Sequence, residues 1–233
     1  MADGLRVASM NGLSLPPFRA AILDMDGLVV DSEPTYCEAW QRAAAEQGCL
    51  LSEAFLLGLF GRHADAVEAA LRGELGAAFE RESFYRSAEQ HWLDHLENHG
   101  LNRMPGLEAL LAVFRQRGVP YALATNSDAP YARLCLRHAG LEAEFGLVVT
   151  RDQVRQGKPA PDVFLEAARR LGVPPEQCLA LEDSATGLAA ARAAGTITVL
   201  VQRREAERRR LEKDARFQFA ALGELAEWLE AEA

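Results

Sequence analysis

Lysine is almost missing from this chain: Lys158 and Lys213 are the only two in 233 residues, and arginine supplies the rest of the 25 basic side chains. Acidic residues number 34, which leaves a formal net charge of -9. Such a chain lacks the extended cationic surface on which nucleic-acid or anionic-membrane binding depends, so neither partner is expected. Small anionic ligands stay open, because a local site can oppose the global charge. Cysteine is scarce as well. Cys37, Cys49, Cys135 and Cys178 form no close-spaced pair of the zinc or redox kind, which fits free thiols in a reducing compartment. Long apolar runs are absent too. No stretch reaches the length of a membrane span, and Met1 to Pro17 has no apolar core of signal-peptide length, so a cytoplasmic protein is expected.

What is present begins with Ala20 to Ser32, read Ala-Ala-Ile-Leu-Asp-Met-Asp-Gly-Leu-Val-Val-Asp-Ser. An apolar run too short for a helix ends in Asp24 and Asp26, as a buried strand would when it delivers carboxylates at its carboxyl end. Alternation along a strand points both acids the same way and Met25 inward. One carboxylate then suits a nucleophile or metal ligand, the other a proton carrier. A solvated Asp-Gly turn has the same residues, so the rest of the chain must decide.

The opening residues, rich in Gly, Ser and Pro, read as a flexible tail over 1–17. After the first strand, residues 34–103 are helical in pattern, with segments over Tyr36 to Gln47, Ser52 to Leu59, Ala64 to Leu71 and about Glu80 to Leu96. Met104-Pro105-Gly106 ends that block. Helices then alternate with short apolar strands: Val119 to Ala124, Phe145 to Val149, Cys178 to Leu181 and Thr196 to Val201, with a closing helix over Leu222 to Glu230. This pattern predicts an α/β fold, a doubly wound parallel sheet of the Rossmann-like kind, because each crossover lays a helix on the sheet. The α/β core would span 18–33 and 104–233, with 34–103 inserted as an all-helical second domain above the sheet edge.

In open parallel sheets, ligands bind beyond the carboxyl ends of the strands. Three apolar runs here end in polar groups: Asp24 with Asp26, Thr125 with Asn126, and Glu182 with Asp183. The rare Lys158 lies in a loop before a helix, where a compact ammonium has a use that arginine does not serve. Together these groups suit phosphoryl transfer. Clustered carboxylates call for a hard cation such as Mg²⁺, and the cation with Lys158 and Thr125 would hold phosphate oxygens.

At this point the residues resemble the haloacid dehalogenase superfamily, in its capped phosphatase and β-phosphoglucomutase-like branch. Asp24-Met25-Asp26-Gly27, Thr125-Asn126, Gly157-Lys158-Pro159-Ala160-Pro161-Asp162 and Leu181-Glu182-Asp183-Ser184 follow one another as that family's four motifs do. The resemblance implies that Asp24 is the nucleophile forming an aspartyl-phosphate and a Mg²⁺ ligand. It implies that Asp26 is the acid/base with its backbone carbonyl on the metal. Thr125 and Asn126 would hold phosphate, Lys158 would tie phosphate to nucleophile, and Asp183 would bind metal with Glu182 as direct or water-mediated helper.

Asp26 disfavours a dehalogenase, and a cap without lysine disfavours phosphonate cleavage. A β-phosphoglucomutase resembles the same motifs but has a histidine where Tyr36 stands, a departure that favours hydrolysis of a small phosphorylated metabolite, such as a sugar phosphate. Arg62 and His63, before a cap helix, are candidates to contact that substrate. A receiver-like signalling domain is shorter and lacks the second acid. His91, His95 and His99 have metal-ligand spacing but no completing cysteine, and read as a wet helix face. The arginines of 203–210 alternate with glutamates, as in a solvated helix with local ion pairs. A monomer is the expected state.

Overall fold

The structure, a computed structural model, describes residues 15–59, 64–76 and 79–231. Six strands form one wholly parallel sheet: β1 (Ala20–Leu23), β2 (Tyr121–Ala124), β3 (Val148–Val149), β4 (Cys178–Glu182), β5 (Ile197–Val201) and β6 (Phe217–Phe219). Their order across the sheet is β3-β2-β1-β4-β5-β6. The chain leaves β1 toward one edge, then crosses back to β4 on the other side of β1. The winding therefore reverses at β1, and a crevice opens where it does. Leu23 sits level with Leu123 on one side and Leu181 on the other, so the residues after all three strands emerge at one end.

Alternation sorts the strand side chains into two apolar layers. Ala21, Leu23, Leu123 and Leu181 pack with Leu110 and Phe114 of α5 (Leu107–Gln116) and Leu225 of α10 (Leu222–Ala231). Ala20, Ile22, Ala122, Ala124 and Ala180 face Phe164 and Ala167 of α7 (Asp162–Leu171) and Ala190 of α8 (Ala185–Ala193). Alanine dominates this second face, which brings α7 close to the sheet. The remaining core helices are α6 (Ala129–His138) and α9 (Glu205–Leu211).

Between β1 and β2 lie α1 (Glu33–Glu46), α2 (Glu53–Leu57), α3 (Ala64–Leu75) and α4 (Arg81–His99). They bury their own apolar cluster around Leu56, Leu71, Phe79 and Phe84. The two connections to the core run side by side: Asp31 donates to the Asn102 carbonyl at 2.8 Å and Met104 to that of Val29 at 2.9 Å. On α4, His91 pairs with Glu46 at 2.7 Å and His95 with Glu38 at 3.0 Å, so two of the three spaced histidines fasten α4 to α1.

Four readings of the sequence are corrected. The first helix starts at Glu33 rather than Tyr36, because Pro34 falls in its opening turn, where no N–H is needed. The strand expected over Phe145 to Val149 shrinks to its last two residues. β6 was not expected, since three residues behind a charged segment carry too little pattern. The tail has an anchored end as well: Leu15, inside its expected span, packs on the core.

Candidate functional site

Asp24 follows β1 and donates its backbone N–H to Leu181 on β4 at 3.0 Å, which places its carboxylate at the crevice. The next residues fold into a tight turn in which Val29 donates to the Met25 carbonyl at 2.9 Å. Gly27 has φ +81°, and a Cβ there would stand 2.4 Å from Oδ2 of Asp183. Only glycine suits both the turn and the approach of that carboxylate.

Asp26 is held by three hydroxyls. Ser32 donates to Oδ1 at 2.9 Å, Tyr131 to Oδ1 at 2.8 Å, and Ser127 to Oδ2 at 3.0 Å. Ser32 occupies the position before α1 but makes no side-chain cap there, because its hydroxyl is engaged by Asp26. Burial, and then the charge of Asp24, push the Asp26 carboxyl above its ordinary range.

Lys158 is the buried cation of the site. Its ammonium pairs with Asp24 and, at 2.5 Å, with Oε1 of Glu182, and it lies 5.0 Å from the Phe164 ring centre. Burial works against this charge, but the two carboxylates outweigh it and raise the Lys158 pKa. Asn126 fixes the lysine loop by accepting from the Lys158 N–H at 2.8 Å and donating to its carbonyl at 3.2 Å. Gly157 leaves room for that clamp, since a Cβ would meet Asn126 Oδ1 at 2.3 Å.

Glu182 is fully buried, with Oε1 on Lys158 and Oε2 accepting from Ser184 at 3.1 Å. A Cβ on Gly187 would lie 1.9 Å from its carboxyl carbon, so α8 can pass only with glycine there. Ser184 also caps α8, accepting from the Gly187 N–H at 3.1 Å. The Thr125 hydroxyl accepts from the Ser127 N–H at 3.0 Å and keeps its own proton to donate.

Carboxylate oxygens of Asp24, Glu182 and Asp183 lie within 4.8 Å of one another, and the first two share the Lys158 ammonium. Burial and then the neighbouring acids raise the Asp183 carboxyl well above its usual range, and burial raises that of Glu182 as well. An all-oxygen donor set with surplus negative charge fits a hard divalent cation. Asp24 and Asp183 border a cleft of about 500 Å³, with Asp26, Thr125 and Lys158 in its lining and Tyr36, Glu33 and Thr186 around it.

Sequence comparison explains the arrangement. A family model described as haloacid dehalogenase-like hydrolase matches residues 18–195. The chain is a haloacid dehalogenase-like hydrolase. It is 34% identical over 190 residues to a fructose-1-phosphate phosphatase of Escherichia coli (strain K12), covering 79% of this chain and 97% of that protein. It is 32% identical over 180 residues to hexitol phosphatase A of the same strain, covering 77% of this chain and 81% of the relative. A crystal structure of a HAD-family hydrolase from Deinococcus radiodurans R1, with bound phosphate and sodium, superposes with a TM-score of 0.76. That pair is 31% identical and spans 93% of this chain and 97% of the other.

In this hydrolase every core residue picked from the sequence borders the cleft or touches a residue that does. Arg62 and His63 lie outside the described residues. The arginine-rich segment is only partly the solvated helix expected. Arg209 pairs with Glu205 and Arg210 with Glu207, but Arg203 reaches Asp31 at 3.1 Å and Arg204 reaches Glu33 at 3.1 Å, tying the core to the start of α1. Sequence reasoning assigned no contact with Asp26 to Ser32, Ser127 or Tyr131. Their sole signal was proximity to the acidic and Thr-Asn motifs, since hydroxyls have no distinctive spacing.

Proposed function

We propose that this hydrolase is a Mg²⁺-dependent phosphatase of small phosphorylated carbohydrates that works through a phosphoryl group carried on Asp24. The observation that carries the reading is the meeting of Asp24, Lys158, Thr125 and Asp183 at the reversal of the sheet, beside a second acid ringed by hydroxyls. The curated relatives named for fructose 1-phosphate and hexitol phosphates support the substrate class.

In this reading Asp24 attacks phosphorus, and Lys158 and Thr125 hold the non-bridging oxygens as charge builds on them. Asp26 gives its proton to the leaving alkoxide and then takes one from the water that frees Asp24. Asp24, Asp183 and the Asp26 carbonyl would hold the cation, which neutralises phosphoryl oxygens when bound. Glu182 and Asn126 act through Lys158: one pairs its ammonium and the other clamps its peptide. Helices α1 to α4 serve as the cap over 34–103, and their closure excludes bulk water. Tyr36 provides no imidazole for a mutase, so transfer ends on water.

Three assays test this. Phosphate release from hexitol phosphates and fructose 1-phosphate is expected, and interconversion of glucose 1-phosphate with glucose 6-phosphate without release would overturn it. Chelation should abolish activity and added Mg²⁺ restore it. With no substrate, Mg²⁺ at about 100 times its dissociation constant should stabilise the fold by roughly 2.7 kcal/mol, or about 5–10 °C in Tm. An unchanged Tm up to millimolar Mg²⁺ would contradict the assigned donor set.

A further inference from the structure

Tyr131 is not in any of the four motifs, yet it bonds the acid at the centre of the proposed chemistry. Its place follows from local structure. Asp128 caps α6, accepting from the Tyr131 N–H at 3.0 Å, which sets the first turn so that the phenol leans over the cleft. Its hydroxyl donates to Asp26 Oδ1 at 2.8 Å. Its ring stacks on Trp92 of α4 with centroids 5.2 Å apart and planes 15° from parallel, and Trp92 stacks on Tyr36 of α1 at 5.3 Å and 10°. Trp92 is itself fixed, its Nε1–H donating to Thr35 Oγ1 at 3.1 Å. The phenol is thus braced on one side by helices of the inserted unit and directed to Asp26 on the other.

We infer that Tyr131 is a positioning residue for Asp26, holding the carboxyl group toward the leaving-group oxygen. The inference rests on the phosphatase reading and deepens it. A carboxylate on a turn has free rotation about two bonds. Ser32 and Tyr131 share Oδ1 while Ser127 holds Oδ2, so the three donors fix both the plane of the group and which oxygen faces the cleft. The two serines sit on the turn and loop beside Asp26; only the phenol comes from a rigid helix and is itself clamped. Proton delivery depends on placement within hydrogen-bonding reach, so a loosened carboxyl group should lose rate rather than binding.

A structural role and a positioning role differ in how they depend on the leaving group. An alkoxide leaves poorly without a proton, whereas p-nitrophenolate needs none. Tyr131→Phe keeps the stack and removes the hydroxyl. Because Asp26 also takes the proton from the attacking water, kcat can fall on both esters. By contrast kcat/KM, which ends at departure of the leaving group, should fall about ten- to a hundred-fold on a hexitol phosphate and stay within about three-fold on p-nitrophenyl phosphate. In an Asp26→Asn background the same substitution should cost nothing further on either substrate, because the residue through which it acts is gone. Equal losses of kcat/KM on both substrates, a full additional loss beside Asp26→Asn, or no loss on the hexitol phosphate would each overturn the inference. If the unaltered protein hydrolyses neither ester, the phosphatase reading fails instead. A melting curve accompanies each variant, and should Tyr131→Phe not fold, Trp92→Phe, which loosens the ring from behind, must give the same leaving-group selectivity or the inference falls.

Discussion

Asp24→Asn should lower phosphatase turnover by roughly 10⁵-fold or more, the scale of losing a covalent nucleophile. The amide keeps the shape and can still receive a hydrogen bond from Lys158 through its oxygen, but its nitrogen is not a nucleophile and its oxygen is a poor one. Stability should move the other way or hardly at all. Asp24 is one of three clustered carboxylates, two of which share the Lys158 ammonium, and removing one unit of that surplus leaves Glu182 to pair the lysine. Steady-state kinetics with a melting curve on the same sample separates the two effects. Undiminished activity would take the nucleophile from Asp24, and a collapse of the fold would show that the carboxylate is there to hold Lys158.

Lys158→Met is expected to have the largest combined effect. The side chain is nearly sealed from solvent and its partner Glu182 is fully buried, so removing the ammonium leaves a buried carboxylate with no counter-charge beside two other acids. Breaking a buried pair from one side costs about 3–5 kcal/mol, whereas replacing both members can be close to neutral. Lys158→Met should therefore be strongly destabilised, and Lys158→Met with Glu182→Gln should regain most of that loss. Neither variant should regain turnover, because the cation proposed to meet the phosphoryl oxygens is gone in both. Lys158→Arg should not rescue it either, since a planar guanidinium cannot occupy the point between two carboxylates that the ammonium fills. Denaturant unfolding of the three variants checks the pattern. A double variant no more stable than Lys158→Met would show that the pair is not what makes the lysine structural.

These two expectations use residues that were legible before any coordinates. An apolar run cut off by Asp-Met-Asp-Gly places carboxylates at a strand end, and the polar groups closing two later apolar strands join them only if those strands are neighbours, an adjacency that the observed order around β1 supplies. Lys158 was legible through rarity. What was not legible came from contacts that follow no period. Tyr131, Ser32 and Ser127 find Asp26 through hydroxyls on three separate segments, and such residues are common everywhere. The resemblance implied a phosphate-holding role for Asn126; what it did not reveal is that both ends of the amide bond the Lys158 peptide. The charge pattern of 203–210 predicted pairs along one helix and missed that Arg203 and Arg204, just before it, reach across to Asp31 and Glu33, because an ion pair separated by some 170 positions leaves no trace in local sequence.

The covalent intermediate is the central claim, and acid quenching during turnover tests it most directly. Enzyme mixed with a hexitol phosphate and Mg²⁺, stopped within milliseconds and digested, should yield the peptide containing Asp24 with the mass of one added phosphoryl group. Fragmentation should place that group on Asp24, and the species should vanish in Asp24→Asn. Phosphate release in a full catalytic burst with no phosphorylated peptide, or a phosphoryl group mapped to any other side chain, would contradict the account.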